Sequence, residues 1–201
     1  MKMLFATRNP GKLRELQQLM ELDGLEIMSL NDFPSLPECE EAGATFAENA
    51  TAKARMVMEA TQLPALADDS GLEVDALGGA PGVHSARYAG PGASDSDRIA
   101  LLLQNLRGVP EERRTARFRC VVAYADPKNP QDVKLCEGCC EGLIAEKSCG
   151  TGGFGYDPVF YVSEIGQTFA EASAEAKNRI SHRGQALRQM VDYLRLKFVL
   201  G

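Results

Sequence analysis

No apolar run in this sequence approaches the ~20 residues that a membrane-spanning helix needs; Cys120 to Ala125 is among the longest. The start, Met1-Lys2-Met3-Leu4-Phe5-Ala6-Thr7-Arg8, breaks after a few apolar residues, so no export signal is expected there. Histidine is scarce. The two present, His84 and His182, have no histidine partner at metal-ligand spacing and leave little room for a catalytic triad. No Gly-x-Ser-x-Gly elbow, internal repeat, low-complexity tract or Ser/Gly linker occurs. Cys136 and Cys139 have C-x-x-C spacing, but no second pair completes a zinc site. The six cysteines are therefore expected to be free thiols in a reducing cytoplasm.

What is present is ordinary globular material. The 201 residues are 44% hydrophobic and 25% charged, enough for a single domain over 1–201. A chain of this length buries roughly 70% of its unfolded surface, so it needs no disulfide or metal merely to fold. The net charge of −6 argues against a general nucleic-acid binder. Its distribution is uneven: residues 1–100 balance at −8 and residues 101–201 at +2. Early acids and late bases suit a site that holds a metal on one side and phosphate on the other, although simple surface patterning gives the same balance.

Strand and helix signals interleave, which predicts an α/β fold. Met3 to Ala6 reads as a short buried strand, followed by the turn Thr7-Arg8-Asn9-Pro10-Gly11-Lys12 and a helix bearing Leu13, Leu16, Leu19 and Met20. Asn31 to Gly43 is a Pro- and acid-rich loop. Thr45 and Glu48 have the spacing of a capping box, ahead of a helix whose apolar face holds Phe46, Ala50, Ala54, Val57 and Met58. Leu63 to Ala67 reads as a short strand ending at Asp68-Asp69-Ser70-Gly71. Gly78 to Gly92 is loop, and Ser94 to Leu106 a helix opened by Ser94 or Asp95. Arg117 to Ala125 and Lys134 to Ile144 are candidate paired strands, and Gly150 to Pro158 is glycine-rich loop. Ala172 to Leu200 is mostly helical with a break near Ser181 to Gly184, and Leu194 to Leu200 forms a core or partner-facing stripe.

Four motifs carry candidate chemistry. The turn Thr7 to Lys12 lies between strand and helix, where backbone N–H groups and a helix start attract anions, and Lys12 adds a full charge. It is not a Walker A loop, because Ala6 and Leu13 stand where that motif needs Gly and Ser or Thr. Asp68 and Asp69 at a strand end are placed to hold Mg²⁺ or orient a water, with Glu40 or Glu41 as a further ligand. Asp68 or Asp69 also reads as a cap of the next segment, and for one of the two the cap is the favoured reading. Gly152 to Pro158 sets Phe154 and Tyr156 among glycines, as a ring that stacks on a purine or as core anchors; Asp157 is an acceptor for base N–H groups. Lys177 with Ser181-His182-Arg183-Gly184 supplies donors for a base carbonyl and charge for phosphate. Arg113, Arg114, Arg117 and Arg119 read as a solvated basic strand edge.

These blocks, in this order, resemble the bacterial dITP/XTP pyrophosphatases, a family that includes inosine triphosphate pyrophosphatase. The likeness runs over essentially the whole chain. It rests on Ala6 to Lys12, Thr45 to Ala50 with Lys53, Ala67 to Leu72, Gly79 to Val83 through Ser85 to Tyr88, Phe154 to Pro158, and Lys177 with Ser181 to Gly184. The resemblance implies an elongated mixed β-sheet with flanking helices, two lobes around a deep nucleotide-binding cleft, a cytoplasmic homodimer, and Mg²⁺ as cofactor. It implies hydrolysis of ITP, dITP and XTP to the monophosphate and pyrophosphate, with neither nucleic acid nor membrane as partner. Glu41 and Asp69 match the family's metal carboxylates, and Asp69 its general base. Thr7, Arg8, Asn9, Pro10, Gly11, Lys12 and Lys53 match its phosphate-binding positions. Ser70, Phe154, Gly155, Tyr156, Asp157, Lys177, His182 and Arg183 match the remaining substrate contacts. Donors from His182 and Arg183 would pair with the carbonyl at purine position 6 and oppose adenine's amino group, so Arg183→Ala is expected to reduce activity far more than stability. Alternatives left open are a pyrophosphatase for other modified nucleotides, a phosphatase releasing orthophosphate, and a nucleotide sensor without catalysis.

Overall fold

The computed structural model describes residues 2–20, 24–37 and 39–199. Met1, Glu38 of the acidic loop and Leu200 of the terminal stripe lie outside them. Among the described residues, seven strands form one mixed sheet in the order β2-β1-β3-β4-β5-β6-β7. They are β1 (Lys2–Phe5), β2 (Glu26–Ser29), β3 (Ala65–Val74), β4 (Thr115–Asp126), β5 (Asn129–Ile144), β6 (Phe160–Val162) and β7 (Gln167–Thr168). The helices are α1 (Pro10–Leu19), α2 (Phe46–Thr61), α3 (Asp95–Asn105), α4 (Ala174–Ile180) and α5 (His182–Val199). β1 runs parallel to both β2 and β3, whereas β5-β6 and β6-β7 are antiparallel. The α/β expectation therefore holds.

The chain gathers into two compact units, and β3, β4 and β5 each contribute residues to both. The first unit comprises residues up to Asp69, Cys120–Gly138 and Arg183 onward. Its core joins Met3 and Phe5 of β1, Leu16 of α1, Leu66 of β3, Val122 and Tyr124 of β4, and Leu187, Met190 and Leu194 of α5. Apolar residues at positions 187, 190, 191 and 194 put one stripe of α5 inside. The second unit comprises Ser70–Arg119 and Cys139–His182. Leu72 and Val74 of β3, Leu102 and Leu106, Phe118, Phe160 and Phe169 fill its core. There the Phe118 ring lies 4.5 Å from that of Phe160.

Helix starts follow local chemistry. Pro10 occupies the first turn of α1, where its missing N–H is no loss, and Asn9 caps it. Ser94 and Asp97 form the reciprocal box that opens α3. Thr45 caps α2 through the Glu48 N–H, but Glu48 reaches the Ala44 N–H instead of that of Thr45, so the expected box is shifted by one residue. The break between α4 and α5 is a single extended residue, Ser181.

The main departure from expectation is β3. It does not stop at Ala67 but continues through Asp68, Asp69, Ser70 and Gly71 to Val74, so the acids lie within the strand and not at its C-terminal end. All six cysteines are free, and burial pushes the Cys120 and Cys140 thiols up to about 12, which keeps them protonated and inert. Nor are Arg113, Arg114, Arg117 and Arg119, at and before the start of β4, a uniform solvated edge. Arg114 is buried on the Val109 and Leu106 carbonyls, and Arg117 is paired with Asp75 and Glu141. Among the described residues no helix is long and apolar enough to cross a membrane.

Candidate active site

In the first unit, the turn after β1 is held by its own side chains. Thr7 Oγ1 accepts the Asn9 N–H at 3.1 Å, and Asn9 Oδ1 accepts those of Gly11 and Lys12 at 2.8 and 3.3 Å. The carboxamide oxygen of Asn9 thus sits on the helix-start N–H groups that the sequence offered to an anion. Arg8 points elsewhere, donating to the Leu30 and Leu36 carbonyls at 2.9 and 2.8 Å, and so fastens the following loop. Lys12 is the cation that reaches inward, with Nζ 2.9 Å from Asp68 Oδ2.

Consecutive strand residues face opposite ways, so Asp68 and Asp69 enter different surroundings. Asp68 is 2% exposed. Its Oδ2 also accepts from Arg183 Nε at 3.1 Å, while Arg183 Nη1 reaches Glu15 Oε2 at 2.6 Å. Burial alone would raise the Asp68 carboxyl, but Lys12 and Arg183 hold it well below the usual carboxylate range. Asp69 faces α2 and the acidic loop. Lys53 Nζ lies 2.9 Å from Asp69 Oδ1 and 2.5 Å from Glu41 Oε1, and Asn49 Nδ2 donates to Asp69 Oδ2 at 3.0 Å. Burial is the largest influence on Asp69 and its carboxyl stands above the ordinary value, with Lys53 and Asn49 opposing the rise. Lys53 is itself held above its ordinary value: burial works against its charge, and Asp69 and Glu41 overcome it.

Two carboxylate oxygens therefore converge on one cationic nitrogen. A single ammonium leaves a residual negative charge there, and all-oxygen donors suit a hard divalent cation completed by phosphate and water oxygens. Glu41 and Asp69 thus fit Mg²⁺, although no group of three or more ligating side chains stands among the described residues.

The second unit carries Ser70 on β3, the aromatic loop, Lys177 and His182. Asp157 is 3% exposed and its Oδ2 accepts both the Phe154 N–H (2.8 Å) and Lys177 Nζ (2.7 Å). The expected acceptor for a base is thus engaged by the loop itself. A side chain at Gly153, whose φ is +71°, would run into Asp157 Oδ2, so glycine is required there. Tyr156 is a buried anchor whose hydroxyl donates to the Ser85 carbonyl at 2.9 Å, and the Gly155 N–H donates to Asp95 Oδ2 at 2.7 Å. Half-buried Phe154 lies under Lys177, with Nζ 4.8 Å from its ring centroid. His182 is 4% exposed and stacks on Phe118 at 4.6 Å.

The early turn, the mid-chain acids and Arg183 are thereby brought together in one unit, and Phe154, Asp157 and Lys177 in the other. Arg183, 3% exposed and paired with two acids, is also a structural charge. Its replacement would take one cation from Asp68 and one from Glu15, so Arg183→Ala is expected to cost stability as well as activity. Reasoning from sequence missed Glu15, Asn49 and Asp95. Glu15 follows Lys12 by three residues and Asn49 precedes Lys53 by four, spacings that share a helix face; the pairing of Asp95 with Gly155 had no local signal.

A profile of the Ham1 family matches residues 3–193. A dITP/XTP pyrophosphatase from Desulforamulus reducens is 52% identical over 99% of this chain and 98% of its own. One from Geobacillus kaustophilus is 53% identical over 94% and 92%. Among solved structures, a HAM1 protein from Coxiella burnetii superposes with a TM-score of 0.89 at 45% identity, covering 97% of this chain and 98% of that one. A nucleoside-triphosphatase / dITP/XTP pyrophosphatase from Mycobacterium abscessus gives 0.77 at 45% identity, covering 94% and 98%. Sequence blocks, sheet order and full-length similarity agree, and the chain belongs to the Ham1 family.

Proposed function

We propose that this protein hydrolyses the non-canonical purine nucleoside triphosphates ITP, dITP and XTP to the monophosphate and pyrophosphate, clearing deaminated purines from the nucleotide pool. The names of its half-identical relatives support this substrate class. The observation that carries the chemistry is the Glu41–Lys53–Asp69 cluster, two acids on one lysine at 2.5 and 2.9 Å.

Glu41 and Asp69 would hold Mg²⁺, which when bound neutralises phosphate charge and polarises the attacked phosphorus. Lys12 and Lys53 supply fixed positive charge toward the triphosphate, a stabilisation that grows as negative charge builds on its oxygens. Lys12 exchanges its Asp68 partner for phosphate as substrate arrives. Asp69 aligns a water for attack on the α-phosphorus and accepts its proton on the carboxylate. The new P–O bond forms at Pα, the bond from Pα to the α,β-bridging oxygen breaks, and pyrophosphate leaves with that oxygen. In the second unit, Phe154 offers a face for the purine, and Lys177, held over that ring, offers charge. His182 and Arg183 are assigned to the carbonyl at position 6. Homodimer assembly and a cytoplasmic location belong to the same reading and rest on the family resemblance.

A panel of ITP, XTP, dITP, ATP and GTP, with and without Mg²⁺ and with products identified, tests it. Mg²⁺-dependent pyrophosphate release from the first three, well above ATP and GTP, is expected. Orthophosphate as the product, or equal rates on ATP, would overturn it.

A further inference from the structure

Between Asp69 and the loop that carries Glu41 stands Asn49, a side chain that the reaction as described does not use. It is 2% exposed on α2. Its Nδ2 donates to Asp69 Oδ2 at 3.0 Å, and its Oδ1 accepts the Gly43 N–H at 2.8 Å. The two partners fix the amide's orientation without ambiguity, because a backbone N–H only donates and a carboxylate only accepts. Asp69 Oδ1 is meanwhile taken by Lys53 at 2.9 Å, so the carboxylate is gripped at both oxygens and cannot rotate freely.

The approach on the loop side is close. A Cβ built on Gly43 would lie 2.7 Å from Asn49 Oδ1 and 2.8 Å from Glu48 Cβ, so only glycine lets the backbone reach the amide. The Ala44 N–H, next along, is taken by Glu48 Oε2 at 2.7 Å. The segment just after Glu41 is thus pinned to the first turn of α2, and the same asparagine that receives it holds Asp69. Neither close substitute does both: aspartate keeps the Gly43 bond but loses the donor, and serine is too short to span the two.

We propose that Asn49 is a positioning residue for hydrolysis, setting the distance and angle between the Glu41 loop and the Asp69 carboxylate so that both acids address one divalent cation. This rests on the assignment of Glu41 and Asp69 in the preceding section. Groups that orient metal-binding carboxylates change affinity or activity by about tenfold to a hundredfold when lost. A role confined to stability would lower the melting temperature and leave both unchanged in the folded enzyme.

The test uses the full chain and Mn²⁺ as an observable stand-in for Mg²⁺. Mn²⁺ binding to the nucleotide-free protein is measured by electron paramagnetic resonance, alongside kcat and KM for ITP, with circular dichroism to confirm folding. Asn49→Ala is expected to weaken Mn²⁺ binding about tenfold or more and to lower kcat by a similar factor, with KM for ITP little changed. Gly43→Ala, which displaces the amide, should act in the same direction, and the double variant should be no worse than the poorer single. If Asn49→Ala does not fold, the isosteric Asn49→Asp, which keeps the Gly43 bond, carries the same measurement of kcat. A folded Asn49 variant with wild-type Mn²⁺ affinity and kcat, or strictly additive effects with Gly43→Ala, overturns the proposal. Wild-type protein that neither binds Mn²⁺ nor releases pyrophosphate from ITP overturns instead the reading on which it rests.

Discussion

Asp68 and Asp69 show how far one residue's step along a strand changes its chemistry. Asp68 faces two cations, Lys12 and Arg183, and has one oxygen, Oδ1, with no hydrogen-bond partner among the described residues. Asp69 shares its one cation with Glu41. Asp68→Asn removes one of the two acids paired with buried Arg183 and the acid paired with Lys12, and a loss of about 3–5 kcal/mol is expected from denaturant unfolding. The pH dependence follows from the same contacts. The folded carboxyl titrates below its unfolded value, so its contribution to stability is complete above roughly pH 4 and fades as pH falls further. Asp68→Asn should therefore flatten the acid side of the stability profile, which urea midpoints between pH 3 and 6 would show; an unchanged slope would contradict it. Lys53→Met, which deletes the shared cation and leaves two acids facing each other, should lower kcat on ITP by at least about a hundredfold. These pairings were not legible from the residues alone. It placed Lys12, Lys53, Asp69 and Arg183 on a list of binding groups through family resemblance, but which acid meets which cation is a tertiary matter.

Among the elements, those with local chemical signals were legible and those made by tertiary contact were not. Thr45 and Ser94 mark the starts of α2 and α3 because capping is a contact within four residues, whereas α1 begins at Pro10, inside the segment that reads as a turn from sequence. β6 and β7 went unread, since three and two residues are too few to display a period, and β2 because Glu26-Ile27-Met28-Ser29 lacks the continuous apolar run of Met3 to Ala6. The extent of β3 was misread for a different reason: two aspartates disfavour a strand, and only Lys12, Arg183 and Lys53, distant in sequence, make them tolerable inside one. Two outcomes belong to this scale. Thr45→Ala should lower stability by about 1 kcal/mol, read from thermal unfolding, because the Glu48 N–H loses its acceptor. Asp95→Ala should loosen the aromatic loop at Gly155 and raise KM for ITP several-fold with little change in kcat, since the Asp95 carboxylate touches that loop and none of the reacting groups. Asp95→Asn, which keeps an acceptor, should recover most of the loss.

At the scale of the whole molecule, each compact unit has its own apolar core and its own set of buried charges. The first holds the anion- and metal-directed groups, with Lys12, Lys53 and Arg183 balanced against Glu15, Glu41, Asp68 and Asp69. The second holds an aromatic loop stiffened by Asp157 and Lys177. Arg183, a late base, is buried against the early acids Glu15 and Asp68. The α/β class was legible at this scale because alternation of strand and helix signals survives errors at individual boundaries, whereas the mixed sheet was implied by the family resemblance alone. The most direct measurement of the central claim is the fate of oxygen when ITP is hydrolysed in ¹⁸O-labelled water with Mg²⁺, followed by phosphorus magnetic resonance. Label confined to the inosine monophosphate, with unlabelled pyrophosphate, is the predicted result. Label in pyrophosphate or orthophosphate, or no turnover, would contradict it.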